Sequence, residues 1–262
     1  MVMQKIKISP NSKQRSAIEH PPSPLMILAG AGTGKTFTLE NRIVYLIKEY
    51  KVDPKHLLAI TYTEKAANEL KSRVIEKVGA KAHSMTVNTF HAFCYKLLRD
   101  NDFSSKQLLD ESEAVHMFLT RFDELKPFES TEFPLDPQRA ITESFMPFFN
   151  RMRDELIDPE KVKIPEPMDD GTLATESCHQ LSDLKRIYPL FQSWKEELNV
   201  VDYGDIILSA YQMISTSKSI LKSIQDNYRH IVIDEFQDNN FALNKIVNLI
   251  AGKRNYVTAV GD

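Results

Sequence analysis

Apolar and polar positions along the chain follow two rhythms. Four short runs rich in branched apolar residues read as buried strands: LMILA (25–29), HLLAITY (56–62), SMTVNTF (84–90) and HIVIDE (230–235). Between them the apolar residues recur every three or four positions. In KTFTLENRIVYLIKEY (35–50), Leu39, Ile43, Leu46 and Ile47 fall on one helical face. EKAANELKSRVIEKVG (64–79) predicts a second helix, and a third runs from about His91 to Arg99. NSKQRSAIEH (11–20) predicts a short helix with Asn11 as its N-cap, broken by PPSP. Near the other end come a helix at about 241–251 and a strand in YVTAVGD (256–262). Strands alternating with helices predict an α/β fold whose parallel sheet is covered on both faces. The alternation stops between about 100 and 200. ESEAVHMFLTRFDEL (111–125) and CHQLSDLKRIYPLFQSWKEELN (178–199) are helical, and KVKIPEPMDDG (161–171) reads as a loop or linker. After VDYGDIILSAYQMI, another helix, the sheet resumes. The expected division is therefore 1–98 and 201–262 as one α/β domain, with 99–200 as an all-helical insertion.

Composition adds limits rather than direction. The chain has 262 residues and a net charge of −3, ordinary for a soluble globular protein. It holds no apolar run of the roughly 20 residues that a membrane span needs. The N-terminal segment lacks the apolar core of a secretory signal. Two cysteines, Cys94 and Cys178, are too few for a disulfide framework, so the reducing cytoplasm is the expected compartment. Charge is unevenly spread. Residues 1–100 hold 16 Lys/Arg against 8 Asp/Glu, a net of +8, and residues 101–262 hold 17 against 28, a net of −11. A basic first part suits a polyanion, although scattered lysines are more often a solvated face.

The candidate chemistry begins at LAGAGTGKT (28–36), between a strand and a helix. Small residues there let backbone N–H groups curl around phosphate oxygens at a helix N-terminus. The cradle comprises Ala29, Gly30, Ala31, Gly32, Thr33 and Gly34. Lys35 would reach the β and γ phosphates of ATP, and Thr36 would place its hydroxyl on Mg²⁺. The spacing Gly30, Gly32, Gly34 does not fit the dinucleotide fingerprint, which would leave Lys35 without a role. A Gly-rich turn that binds nothing is the bland alternative. A phosphate loop needs an acid at the end of another strand, and Asp234 suits that metal-binding task. Glu235 is then placed to accept a proton from the attacking water. Thr61, Tyr62 and Thr63 follow a strand at the sheet edge where ligands bind in α/β folds. Tyr62 can stack on a base of single-stranded DNA or serve as a core aromatic. Phe90 and His91 pose the same choice. His91 and Cys94 have no second ligand pair nearby, so zinc is not expected. Trp194 reads as core, Asp202 as an N-cap and Asp205 as a first-turn acid.

DEFQD (234–238) after an apolar strand resembles motif II of the superfamily 1 helicases of the UvrD/Rep/PcrA kind, and AGAGTGKT resembles their motif I, where alanine commonly stands first. NSKQRSAI is similar to their Q motif, which implies Gln14 on the adenine edge; its spacing from Asn11 also suits a capping box. ENRIVYL matches the helix after motif I, which implies Arg42 near the nucleotide; a solvated helix arginine is the other reading. AITYTEKAANELKSRV (59–74), VNTFHAFCYKLLR (87–99) and VTAVGD (257–262) resemble motifs Ia, Ib and the opening of III. Asn239 stands where the family commonly has Thr or Ser. The resemblance implies a RecA-like P-loop domain with the helical 1B insertion, ATP and Mg²⁺ as cofactors, Gln237 as the γ-phosphate sensor, and 3′-to-5′ movement on DNA. It tips Thr61, Tyr62, Thr63, Phe90 and His91 toward DNA. It further implies a second RecA-like domain beyond Asp262 carrying arginines for the γ-phosphate, so residues 1–262 alone should turn ATP over slowly. Two other readings stay open: the helicase half of a RecB/AddA-type helicase–nuclease, and a nucleotide-gated binding module without turnover, against which Glu235 argues. An ATP-dependent small-molecule enzyme would leave Thr61–Thr63 and NTFHAF unexplained.

Overall fold

The structure, a computed structural model, describes residues 9–30, 32–101, 106–166 and 174–262. Local chemistry explains most element ends. Asn11 and Gln14 close a capping box at the start of α1 (Ser12–Glu19), each side chain accepting the other's backbone N–H at 2.8 and 2.9 Å. Proline-rich residues then lead into β1 (Leu25–Leu28). Gly32 and Gly34, at φ 74° and 90°, turn the chain into α2 (Lys35–Lys48). A 3-10 turn over Pro54–His56 feeds β2 (Leu57–Thr61). The Thr63 hydroxyl accepts the Ala66 N–H at 3.1 Å and caps α3 (Glu64–Val78). β3 (Thr86–Thr89) runs straight into α4 (Phe90–Arg99). The short β4 (Gln107–Leu108) precedes α5 (Glu111–Thr120), which Asp110 and Glu113 cap reciprocally. α6 (Pro137–Arg139), a π-helical turn over Ala140–Phe145 and α7 (Met146–Asp154) make one unbroken helical run. α8 (Thr175–Glu197), the short β5 (Val200–Val201), α9 (Tyr203–Thr216) and α10 (Lys218–Asn227) lead to β6 (His230–Ile233), α11 (Phe241–Ala251) and β7 (Val257–Gly261).

The chain forms two compact units. The first runs to Phe93 and adds Met213–Asn239 and Asn244–Asp262; the second comprises Cys94–Gln212 and Asn240–Leu243. In the first unit, five parallel strands lie in the order β1-β7-β6-β2-β3. Every residue of β2, which lies between β6 and β3, is buried, as expected for a parallel strand covered on both faces. Leu39, Ile43, Leu46 and Ile47, the face legible in the sequence, pack with Ala59, Leu70, Val74, Val232 and Val260. Parallel strands bring all their C-terminal ends to one edge, and this is what assembles the site.

The second unit has its own core, in which Phe118 stacks on Phe191 at 4.6 Å and meets Phe145, Phe149 and Trp194. It differs from expectation in two ways. It is not wholly helical, because β4 and β5 pair in parallel, Gln107 against Val200 and Leu108 against Val201. Strands of two residues are too short to show an alternation. Its limits also fall after Phe93 and Gln212, not at Leu98 and Val201. Asp202 and Asp205 do begin α9, where the Asp205 N–H donates to the Asp202 side chain at 2.9 Å. They are also buried ion-pair partners inside this unit. Arg153 lies 2.6 Å from Asp202 and 3.0 Å from Asp205, and Lys195 lies 2.9 and 2.5 Å from the same two acids. Those four charges hold the start of α9 with α7 and α8.

Candidate active site

At the C-terminal edge of the first unit's sheet lies a cavity of about 810 Å³, lined by Gly32, Gly34, Lys35, Thr36, Tyr62, Thr63, Asp234, Glu235, Gln237 and Asp262. The side chains arrive from four strand ends. Lys35 and Thr36 open α2, Tyr62 and Thr63 follow β2, Asp234 and Glu235 follow β6, and Asp262 follows β7. The β1 and β6 ends flank the end of β7, and the Ala29 N–H donates to the Gly261 carbonyl at 3.0 Å.

Lys35 is the hub. Its ammonium donates to Asp262 Oδ1 at 2.5 Å and to Glu235 Oε2 at 3.0 Å. Both bonds raise its pKa, Asp262 more than Glu235. Gln237 completes a ring: its Nε2 donates to Glu235 Oε2 at 2.8 Å, and its Oε1 accepts the Asp262 N–H at 3.2 Å. An amide suits this place because it donates and accepts at once. Hydrogen bonds from Gln237 and then Lys35 hold the Glu235 carboxyl below its ordinary pKa. Glu235 stands in the left-handed region, φ 51° and ψ 48°. For a residue other than glycine that conformation costs about 1–3 kcal/mol. In this conformation the Glu235 carboxylate accepts from Lys35. Asp262 is the site residue that sequence reasoning left out; an acid closing an apolar strand (VTAVGD) was the available signal.

Asp234 behaves differently. Burial, and then the charge of Glu235, push its carboxyl pKa up. It makes no ion pair among the described residues, and it accepts only the Glu235 N–H, at 3.2 Å. The Thr36 side chain is exposed in the same cavity. No three His, Cys, Asp or Glu side chains cluster as a metal cage among the described residues. One carboxylate lacking a cation, one hydroxyl and room for phosphates and water fit Mg²⁺, which rarely takes an all-protein cage.

A second cavity, about 530 Å³, lies on the other side of the phosphate loop and is lined by Asn11, Gln14, Ala17, His20, Leu28, Gly30 and Thr38 among others. Gln14 stands between helix and loop. Its Oε1 caps α1 and its Nε2 donates to the Thr33 carbonyl at 3.0 Å, so the capping box and a role at the loop coexist. One lone pair and one N–H remain, the complement of the N6–H/N7 edge of adenine. Gly34 makes room for this: a Cβ there would sit 2.9 Å from Gln14 Nε2.

The structure places other expected site residues elsewhere. Arg42 is neither at the cavities nor solvated. It is 1% exposed, and its guanidinium donates to the carbonyls of Ile18 (3.0 Å), Pro21 (3.2 Å) and His20. It thereby fastens the end of α1, the helix that carries Gln14. Thr61 is buried, and its hydroxyl donates to the Thr63 carbonyl at 3.0 Å. Phe90 is buried at the start of α4, whereas His91 is exposed. Tyr62 is 70% exposed at the rim of the larger cavity, beside Thr63. Ala31 lies outside the described residues.

Residues 10–262 match the family described as the UvrD/REP helicase N-terminal domain. The chain is 29% identical to DNA helicase II of Haemophilus influenzae over 96% of its own length and 33% of that protein's. It is 32% identical to ATP-dependent DNA helicase UvrD1 of Mycobacterium tuberculosis, over 93% of this chain and 30% of the relative. With ATP-dependent DNA helicase PcrA of Staphylococcus epidermidis it shares 30% identity, over 96% and 33%. The chain thus spans about a third of the length of the curated relatives it matches. With a phosphate loop, an Asp-Glu pair and a bridging glutamine meeting at one sheet edge, the chain belongs to the UvrD/REP helicase N-terminal domain family.

Proposed function

We propose that the chain is the ATP-binding part of a DNA helicase that hydrolyses ATP to move 3′ to 5′ along single-stranded DNA and open duplex in the cytoplasm. The observation that carries this reading is the meeting of Lys35 with Glu235 and Asp262, 200 and 227 residues away along the chain, in one cavity. The sheet-bearing first unit acts as the motor domain and the second unit as its insertion. The loop N–H groups around Gly32 and Gly34 cradle the phosphates, while that of Ala29 stays in the sheet on the Gly261 carbonyl, and Lys35 leaves its two carboxylates for the β and γ oxygens. Thr36 and Asp234 would hold Mg²⁺, which would supply neutralisation of phosphate charge there. Glu235, freed from Lys35, takes the proton of the attacking water. Gln237 touches both Glu235 and Asp262, so it is placed to sense the γ-phosphate. Gln14 reads the adenine edge, with Arg42 positioning it from behind. Tyr62 stacks on a DNA base, a contact of about 1–3 kcal/mol, flanked by Thr63 and His91.

Turnover at full rate needs arginines from a second RecA-like domain, a contribution of about 10³–10⁵ in rate. Residues 1–262 alone therefore bind ATP and hydrolyse it slowly. The test is steady-state ATP hydrolysis with single-stranded DNA by the full-length protein. Glu235→Gln should keep nucleotide and DNA binding while losing about 10²–10⁴ in rate. Hydrolysis at the parent rate would mean that Glu235 is not the base.

A further inference from the structure

The edge of the sheet opposite the active site carries a second feature. Four adjacent strands, β7, β6, β2 and β3, are each entered by a loop bearing an exposed cation: Lys253, Arg229, Lys51 and Lys81. None of the four has a carboxylate partner among the described residues. Lys51 donates only to its neighbour, the Lys48 carbonyl, at 2.6 Å, and Arg229 to the Asp226 carbonyl at 3.4 Å. Of the further cations on this edge, Lys55 and Arg254 are matched, by Asp53 at 3.2 Å and Asp226 at 3.6 Å, and the exposed Lys48 stands beside Glu49. The third acid of the edge is the exposed Glu49. Parallel pairing, with Leu57 facing His230, Ile231 facing Val257 and Leu58 facing Thr86, brings the N-terminal ends of these four strands to one edge. Neighbouring strands lie about 4.8 Å apart, so four loops span about 14 Å. Four unmatched positive charges over that length resemble the charge of one nucleic-acid strand, about one phosphate per 3.4 Å. Lys51 and Lys81 also open onto a groove of about 620 Å³ with His83 and Ser84 as further polar groups. Tyr50, 41% exposed, stands beside Lys51.

We infer that this edge is a second, sequence-independent binding face for the phosphate backbone of nucleic acid, separate from the Tyr62 edge at the other end of the same strands. A single row of cations matches a linear polyanion. A membrane surface would call for several exposed apolar side chains around the charges, and Tyr50 alone is a poor anchor.

Equilibrium binding of a fluorescent duplex of about 20 base pairs to the 262-residue chain, followed by anisotropy from about 50 to 200 mM salt, tests it. Each phosphate neutralised contributes about −0.9 to the slope of log K against log salt. The triple variant K51Q/K81Q/K253Q should therefore flatten the slope by about 2.7, with each single substitution contributing about 0.9. Across a fourfold salt range, that is about 40-fold less salt sensitivity for the triple variant. Nucleotide binding by the variants should match the parent, and Tyr62→Ala should leave the flattening intact. An unchanged slope in the triple and single variants overturns the inference. So does a loss of binding to phosphatidylserine vesicles, or to an acidic peptide, without any change on duplex. Lys35→Ala should abolish nucleotide binding and leave the slope alone, so a failure here is distinguishable from failure of the ATPase reading.

Discussion

Arg42→Met separates holding the nucleotide from holding the helix that reads it. In the structure the guanidinium replaces water for three carbonyls at the end of α1 and the turn after it. Only the Ile18 bond is fully buried; those to His20 and Pro21 are partly so, and water can take them over. Leaving one buried acceptor unsatisfied costs about 1–3 kcal/mol, and the half-buried pair adds less. Against this stands relief, because Arg42 is a buried cation whose Nε has no partner, and burial lowers its pKa. Methionine fills similar space without a charge. The balance is about 2 kcal/mol against the docked α1. An eight-residue helix has little stability of its own, so this loss falls on its docking. Two kcal/mol is about 30-fold in an equilibrium constant. Binding of a fluorescent ATP analogue should therefore weaken by up to about 30-fold in Arg42→Met. The double variant with Gln14→Ala should be no weaker than the more weakly binding of the two single variants, because both act through one contact. Additive losses would mean that Arg42 touches the nucleotide itself, and the positioning role would be wrong.

The buried charge cluster of the second unit supports three predictions. Burial opposes ionisation of Asp202, but Arg153 and then Lys195 outweigh it, holding this carboxyl well below its ordinary range. Its contribution to stability is therefore present above the unfolded carboxyl pKa of about 3.9 and is lost as pH falls through the lower folded value. Trp194, the single tryptophan of the chain, sits in that unit's core, so its fluorescence should report acid unfolding; Lys195→Met, which leaves the two aspartates under-compensated, should destabilise the unit by about 3–5 kcal/mol at neutral pH, and no change in the denaturation midpoint would show the cluster to be inert. A Cβ at Gly204 would lie 2.5 Å from Arg153 Nε, and Arg153 cannot retreat because Asp202, Asp205 and Asn150 pin it. Gly204→Ala should cost about 1–3 kcal/mol by overpacking, and a parent-like denaturation curve would refute the pinning.

Legibility from sequence tracked the range of the interactions. The strands of the sheet are legible because all but β3 (TVNT) are runs rich in apolar residues bounded by a helical period, and β6 and β7 fall where HIVIDE and YVTAVGD predict them. α11 fits its expected span, and the Asn11 cap of α1 is a three-residue signal. That Lys35, Thr36, Asp234 and Glu235 share one cavity follows from the strand-end positions a phosphate loop needs, and Gln237 joins them where the motif resemblance puts it. What escaped depends on partners distant in sequence. Arg42 looks the same in sequence whether it meets phosphate, water or three carbonyls 21 to 24 residues away. Thr61 and Phe90 sit in motifs that suggest DNA, yet their side chains turn inward, while Tyr62 between Thr61 and Thr63 turns out. Asp202 and Asp205 carry a local capping pattern that conceals partners at Arg153 and Lys195. The left-handed Glu235 leaves no mark on composition or period.

The most direct test of the central claim is Mg²⁺-dependent binding of a fluorescent ATP analogue to the 262-residue chain, measured alongside Lys35→Ala and Glu235→Gln. The account predicts saturable binding strengthened by Mg²⁺, lost or severely weakened in Lys35→Ala, and retained in Glu235→Gln, where the lysine is released from one of its two carboxylates. Parent-like affinity in Lys35→Ala would contradict it, because the cation that bridges Glu235 and Asp262 would then have no phosphate to move to.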